Sequence, residues 1–311
     1  GIHRGNACKP NLMQRGMQRC KRRRQQMGIS RMTTPLDDKT AYLFAKEFLT
    51  RELKRSDAEK IIESYLSMPD RSNVPVSLQK IFLGLLGSAQ NANMKASVIG
   101  GSLAGGVGSL GKVLCDFDPA KVVTTYGDNA EKLLEEIIKT LQPGGKILRN
   151  PRSIWPKYSR TILSAATFLS QFKSGKDFNG WANHFYADSR SQAALPLVLG
   201  TEIEGIGYPL ACDFLKELGY VEYGKPDVHI MDIFIGIGLC PERASPYHFQ
   251  KVISRIADVA GVSAYAVDKL FWLIGSGKFY NHPELKGIGR KKAKFISEFN
   301  GNHAAAKAGA D

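Results

Sequence analysis

Apolar residues recur at helical spacing along most of the chain, and the two-residue alternation of half-buried strands is scarce. Residues 37–54 and 56–68 read as two helices, the second opened by Ser56-Asp57-Ala58-Glu59 in a capping-box pattern. Ile81, Phe82, Leu85 and Leu86 form an apolar helical stripe that breaks at a polar knot containing Ser88, Gln90, Asn91 and Asn93. A new helix, with Lys95 in its first turn, is predicted to follow. Residues 100–111 are glycine-rich but lack the frame of a phosphate-binding loop. They read as a close-packed helix end and a loop. Further helices are predicted at 128–141, 153–172, 228–239, 246–260 and 263–276, so the expected class is all-α.

The most informative stretch lies at 191–232. A helix-compatible run ends at Ile203, the turn Glu204-Gly205-Ile206-Gly207 follows, and Tyr208 opens a second helix. Leu210, Ala211, Phe214, Leu215 and Leu218 share one face of that helix by three-four spacing. Glycines on either side of a branched residue allow unusual backbone angles and close backbone approach. A turn that opens a helix also presents free N–H groups to an anion. Twenty residues after Gly207 comes Lys225-Pro226-Asp227-Val228-His229. By local pattern alone, Asp227 is an N-cap for the apolar helix that starts at Val228. A second Gly-Ile-Gly turn, Gly287 to Gly289, is followed by Arg290, Lys291 and Lys292.

Charge narrows the partners. The 311 residues carry a net charge of +14, but residues 1–31 hold nine Lys or Arg and no acid, so the rest is only mildly basic. This favours a polyanionic partner. No apolar run approaches a membrane span. Residues 1–35 read as a basic, disordered tail and 301–311 as a frayed one; Met27 and Met32 are candidate natural starts. The five cysteines, Cys8, Cys20, Cys115, Cys212 and Cys240, are scattered and suggest neither a disulfide scaffold nor a zinc site. That usage suits a reducing, intracellular compartment, the nucleoid of the cytoplasm if the source is bacterial.

Taken together, the Gly-Ile-Gly-x-x-x-Ala turn at 205–211 and the Pro-Asp-x-His run at 226–229 resemble the helix-hairpin-helix base-excision DNA glycosylases. The style is closest to the 8-oxoguanine branch. The resemblance implies two helical lobes with a cleft between them, residues 80–203 forming one and residues 36–79 with 204–300 the other. It implies that Asp227 is the catalytic carboxylate. Gln90 and Asn91 resemble the amides that fill the gap left by a flipped base, and Lys95 takes the place of a residue facing the opposite base. Gly205, Ile206 and Gly207 would meet DNA phosphate, with Arg290 and Lys291 as auxiliary contacts. Trp155, Tyr158, Trp181 and Phe185 are candidate walls of the base pocket. The backbone carbonyls of Thr201, Ile203 and Ile206 correspond to those that hold a monovalent cation in this hairpin. No cofactor is required, and no iron–sulfur loop can be built, because nothing after Cys240 is cysteine.

Relatives that also cut the strand carry a lysine two residues after the second glycine of the hairpin, and here that position is Pro209. A prolyl nitrogen cannot form a Schiff base. The resemblance therefore implies a monofunctional enzyme, a monomer acting on double-stranded DNA with an extruded damaged or modified base, that leaves an abasic site. It leaves the base open between repair substrates and modified pyrimidines such as the glucosylated hydroxymethylcytosine of phage genomes. A non-enzymatic DNA-binding scaffold with two hairpins is the alternative from another class.

Overall fold

The structure is a computed structural model that describes residues 35–67, 74–92, 98–285 and 287–308. All regular elements among them are helical: α1 (Pro35–Leu53), α2 (Ala58–Leu66), α3 (Leu78–Ala89), α4 (Pro119–Tyr126), α5 (Ala130–Leu141), α6 (Ile154–Leu169), α7 (Gly175–Tyr186), α8 (Leu195–Glu202), α9 (Tyr208–Leu218), α10 (Val228–Gly236), α11 (Pro246–Ala260), α12 (Ala264–Ser276) and α13 (Lys292–Ala308). The all-α expectation holds. The basic segment 1–31 and Lys95 lie outside the described residues.

The helix ends follow local chemistry. Ser77, Asp118, Asn129, Ser174, Ser245 and Ser263 each accept a backbone N–H at the start of their helix, satisfying a donor the helix itself cannot. Asp57 precedes α2 without a side-chain cap. Its carboxylate turns instead to Arg55 at 2.8 Å; the helix starts one residue later than the expected Ser56 box, with Asp57 rather than Ser56 at the N-cap position. The glycine-rich stretch winds into short 3-10 turns, Gly100–Ser102 and Gly106–Lys112.

Buried apolar residues fall into two clusters. The first joins α3 to α9 and includes Phe82, Leu86, Ile162, Phe178, Phe214 and Tyr223. The second joins α1 and α2 to α10 through α13, with Phe48, Phe234, Phe249, Phe271 and Phe295 at its centre. In it, α12 packs against α1, α2, α10, α11 and α13, which explains why so much of this helix is apolar. The clusters divide between Tyr223 and Ile230. By core membership the hairpin turn and α9 go with the central segment, and the chain crosses to the other lobe through the short run that carries Asp227.

Candidate active site

The hairpin is built by close packing. Gly200 of α8 lies against the returning turn, where an added Cβ would stand 3.2 Å from the Ile206 carbonyl oxygen. Gly205 has φ +83°, and a Cβ there would meet Thr161 Oγ1 of α6 at 2.2 Å. Gly207 differs from the sequence expectation, for its φ of −81° and ψ of 165° are ordinary extended backbone. It serves as the N-cap residue of α9, and its carbonyl accepts the N–H groups of Leu210 and Ala211. Ile206 is buried and anchors the turn in the first cluster. The Glu204 N–H donates to Ser164 Oγ at 2.9 Å, and the Glu204 carboxylate pairs with Arg160 at 2.7 Å.

The crossing between lobes is held by polar groups. The Gly224 N–H donates to Gln250 Oε1 of α11 at 3.1 Å, and Gln250 Nε2 donates to the Glu222 carbonyl at 3.0 Å. The Asp227 N–H then donates to the Lys225 carbonyl at 2.7 Å, closing a tight turn. Asp227 caps α10: its Oδ1 accepts the His229 and Ile230 N–H groups at 2.8 and 3.3 Å. Among the described residues, Oδ2 has no partner. Burial, and then the charge of Asp268, push the Asp227 carboxyl above the usual carboxylate range, partly offset by the two backbone bonds. Asp227 itself is half-buried, and Val228 beside it is 61% exposed. His229 is pressed onto Gly275 of α12, where a Cβ would stand 2.6 Å from the His229 Cβ. Its Nδ1 is buried without a partner among the described residues, and burial lowers its pKa.

The lysine position of the strand-cutting relatives is filled by Pro209 in the first turn of α9. The two lysines nearest in sequence to Asp227 are both engaged. Lys216 of α9 is buried and donates to Asp268 of α12 at 2.8 Å, with Asp213 at 3.4 Å. Lys225 pairs with Asp213 at 3.3 Å. Burial would lower the Lys216 pKa, but Asp268 and Asp213 outweigh it and drive it above the usual lysine value. Neither Asp268 nor Asp213 stands out in the sequence, because an acid on an amphipathic helix carries no signal of its own.

The second Gly-Ile-Gly turn is not a helix-hairpin-helix. What precedes it is the short 3-10 turn Pro283–Leu285 rather than an α-helix. Gly289 has φ +68° and packs on Gly277, whose added Cβ would stand 2.3 Å from the Gly289 carbonyl carbon. Lys291 pairs with Glu52 at 3.2 Å, which occupies it in the fold, whereas Arg290 is exposed. This turn nevertheless lies near the candidate carboxylate, since Lys292 and Arg290 both act on His229.

The other predicted residues scatter. Gln90 ends α3 and its Oε1 accepts the Gly100 N–H at 3.2 Å, so half of the amide is committed to the loop beyond the knot. Asn91 is half-buried in the next turn. Trp155 is a core residue of the first cluster; Tyr158 is buried there too and donates to the Leu86 carbonyl at 2.9 Å, but it also borders the cleft between the knot and the hairpin turn. Trp181 and Phe185 belong to an aromatic group with Phe168, Phe172 and Phe178 in that same cluster. Of the three proposed cation-binding carbonyls, that of Ile203 accepts the Ile206 N–H at 3.2 Å. A cleft of about 390 Å³ joins the knot to the hairpin turn, bounded by Ala89, Ala92, Thr161 and Gly205, with Arg152 and Lys157 at its sides. These two cations escaped the sequence reading, because a single Arg or Lys on a helix face carries no signal until a turn from elsewhere is placed beside it.

No protein-family model matches the chain. It is similar to an 8-oxoguanine DNA glycosylase/AP lyase of Korarchaeum cryptofilum, 21% identical over 166 residues that span 51% of this chain and 71% of the relative. Among solved structures, that of the Methanocaldococcus jannaschii 8-oxoguanine glycosylase/lyase, in complex with a 15mer DNA containing 8-oxoguanine, is similar at 21% identity. It covers 76% of this chain and 98% of that one, with a TM-score of 0.47. At this identity the chain is a distant homologue of the helix-hairpin-helix 8-oxoguanine DNA glycosylase/AP lyases, at the level of the superfamily.

Proposed function

We propose that this protein is a monofunctional DNA glycosylase. It extrudes a damaged or modified base from double-stranded DNA and hydrolyses the N-glycosidic bond to leave an abasic site. The observation that carries this reading is the Asp227 carboxylate. It follows a Gly205–Gly207 hairpin, is half-buried at the run where the two clusters divide, and is fixed through Oδ1 by two backbone N–H groups, which leaves Oδ2 without a partner among the described residues. The distant homology to a base-excision glycosylase supports the same class.

The chemistry follows from that geometry. As the C1′–N bond breaks, the base leaves with the electron pair and positive charge develops on the sugar. A fixed carboxylate stabilises that charge without reorganising. Water adds at C1′, its proton passes to the carboxylate, and the departing base takes up a proton from solvent. Asp227 must be ionised to act, and the two cap bonds favour that form. Extrusion is needed because the bond cannot be reached inside the stack. Gln90 and Asn91 would fill the gap, Lys95 would face the opposite base, and the turn at Gly205, Ile206 and Gly207 would hold phosphate.

Strand cutting is left out because Pro209 takes the lysine position and Lys216 is protonated and buried against Asp268. Two substrate classes follow from the resemblance: repair bases, and modified pyrimidines such as glucosylated hydroxymethylcytosine of phage DNA, which would give the protein a role in defence. Of the repair bases, 8-oxoguanine is named for both relatives. The protein would work as an intracellular monomer, nucleoid-associated if bacterial, with no required cofactor. A monovalent cation can be accommodated at the carbonyls of Thr201, Ile203 and Ile206. No helix among the described residues is long and apolar enough to cross a membrane. The double-hairpin scaffold reading loses its second hairpin, since the 287–289 turn follows a 3-10 segment.

The test is base release. Genomic DNAs carrying different natural modifications, and duplexes with defined lesions including 8-oxoguanine, are incubated with the protein, and freed bases are followed by mass spectrometry. At least one DNA should yield a free base and abasic sites. A folded protein that released none would favour the scaffold.

A further inference from the structure

The hairpin helix and the candidate carboxylate are tied together by a buried set of charges. Lys216 and Asp213 come from α9 in the first apolar cluster, Asp268 from α12 in the second, and Lys225 from the segment that joins them. Lys216 is 5% exposed and Asp268 3% exposed. Charges so deeply buried persist only when each has a partner. Lys225 is also part of the Asp227 turn, through the 2.7 Å bond from the Asp227 N–H to its carbonyl.

We infer that Lys216 is a positioning residue for base release: paired with Asp268 across the lobes, it supplies the positive charge that offsets Asp268 beside the Asp227 turn, where an added Cβ at Gly224 would stand 3.0 Å from the Asp268 Cβ. The charges around Asp227 come from four elements, and on its own helix Asp232 pairs with Lys292 and acts on His229. Asp268 opposes its ionisation from α12, and the imidazole of His229 lies on its own helix. Lys216 cancels Asp268, and Lys225 and Asp213 pair beside the turn. Arg290 and Lys292, from the entry to α13, act on His229 and disfavour its protonation. Without Lys216, two carboxylates in one half-buried space would share a proton, as close acid pairs do. Asp227 would then lose the charge that the reaction needs. Because Lys216 is on the second helix of the hairpin, the element proposed to grip DNA and the element proposed to do chemistry are coupled through this pair.

The rate in this inference rests on the glycosylase reading, but the titration does not, so the two can fail separately. The Asp227 carboxyl is followed by carbon-13 NMR, assigned by its loss in Asp227→Asn, and titrated in the wild type, Lys216→Met, Asp268→Asn and the double variant. Base release is measured over the same pH range. Asp268→Asn should lower the Asp227 midpoint and move the acid limb of the rate down with it. Lys216→Met should raise the midpoint of the acid pair, each unit lowering the rate about tenfold at pH values below it. Adding Asp268→Asn to Lys216→Met should restore a single, lower midpoint and most of the rate. A merely structural ion pair predicts no such rescue. An Asp227 midpoint unmoved by Asp268→Asn, or a double variant no better than Lys216→Met, would overturn the inference. If Lys216→Met does not fold, Lys216→Gln with and without Asp268→Asn carries the same comparison, and an Asp227 midpoint that neither change moves overturns the inference.

Discussion

Lys216 and Asp268 meet at 2.8 Å across the junction of the two apolar clusters, one on the second helix of the hairpin and the other on the central helix of the opposite lobe. Replacing both by apolar residues would leave packing to join the lobes, but removing one would strand a buried charge. The same pair gives the junction a pH dependence. The folded Lys216 pKa lies above its unfolded value, so its contribution to stability is complete below the unfolded lysine pKa, about 10.4, and is lost as pH rises through the higher folded value. Thermal unfolding followed by circular dichroism should therefore show a wild-type stability loss in strong alkali that Lys216→Met lacks.

Asp227→Asn should abolish base release while leaving helix content and DNA affinity near wild type. The amide oxygen can still accept the His229 and Ile230 N–H groups, so the cap survives. What disappears is the charge opposite the sugar cation, an electrostatic term on the order of 3–4 kcal/mol, or a rate loss of several hundredfold. Single-turnover kinetics on a DNA that the wild type attacks would measure it. Full activity in the variant would remove Asp227 from the role.

The pH profile should carry the mark of the environment of Asp227. Its folded pKa is raised by burial and by Asp268, so base release should fall on the acid side at a pH above the ordinary aspartate value of about 3.9. The sign for stability is the reverse of a salt-bridged acid. Ionising Asp227 is less favourable folded than unfolded, so its contribution to stability weakens as pH rises through the raised value. An acid limb at the unperturbed aspartate value would contradict the burial seen here.

The two glycines of the hairpin should behave differently. Gly205→Ala places a Cβ 2.2 Å from Thr161 Oγ1 at φ +83°, and should destabilise the fold by about 1–3 kcal/mol while disturbing DNA binding. At Gly207, φ is −81° and the nearest atom to an added Cβ is Pro209 Cδ at 3.8 Å, so Gly207→Ala should fold like wild type. Denaturant unfolding of the two variants, followed by fluorescence anisotropy with a duplex, would separate fold from contact. Equal destabilisation by both would mean the turn is not packed as described.

Borohydride should trap no covalent protein–DNA adduct during turnover. Pro209 offers no amine, Lys216 is engaged with Asp268 and Asp213, and Lys225 pairs with Asp213. A trapped species, located by peptide mapping, would identify a different amine and make the enzyme bifunctional.

Much of this protein is settled by local chemistry alone. Apolar three-four spacing determines the helices, because a stripe such as Leu210, Ala211, Phe214, Leu215 and Leu218 can be buried on only one side. Ser and Asp caps mark many of their starts, since the first N–H groups of a helix need acceptors from nearby in the chain. The turn at Gly205 was legible for a similar reason, as a positive φ selects glycine. Local pattern failed where partners came from elsewhere. Asp57 abandoned its cap for Arg55. Gly287 to Gly289 copied the hairpin motif, but a short 3-10 segment rather than an α-helix leads into it. Trp155 carries the residue type of a base pocket, yet the first cluster buries it. Above all, the sequence places Asp227 at the mouth of α10 but does not say that Asp268 of α12 meets Lys216 and Asp213, one turn apart on α9. Charge–charge energy depends on distance through space and on burial, and neither is a property of residue order. The identity of the candidate carboxylate was therefore written locally, and the environment that sets its ionisation was decided by the packing of the two lobes.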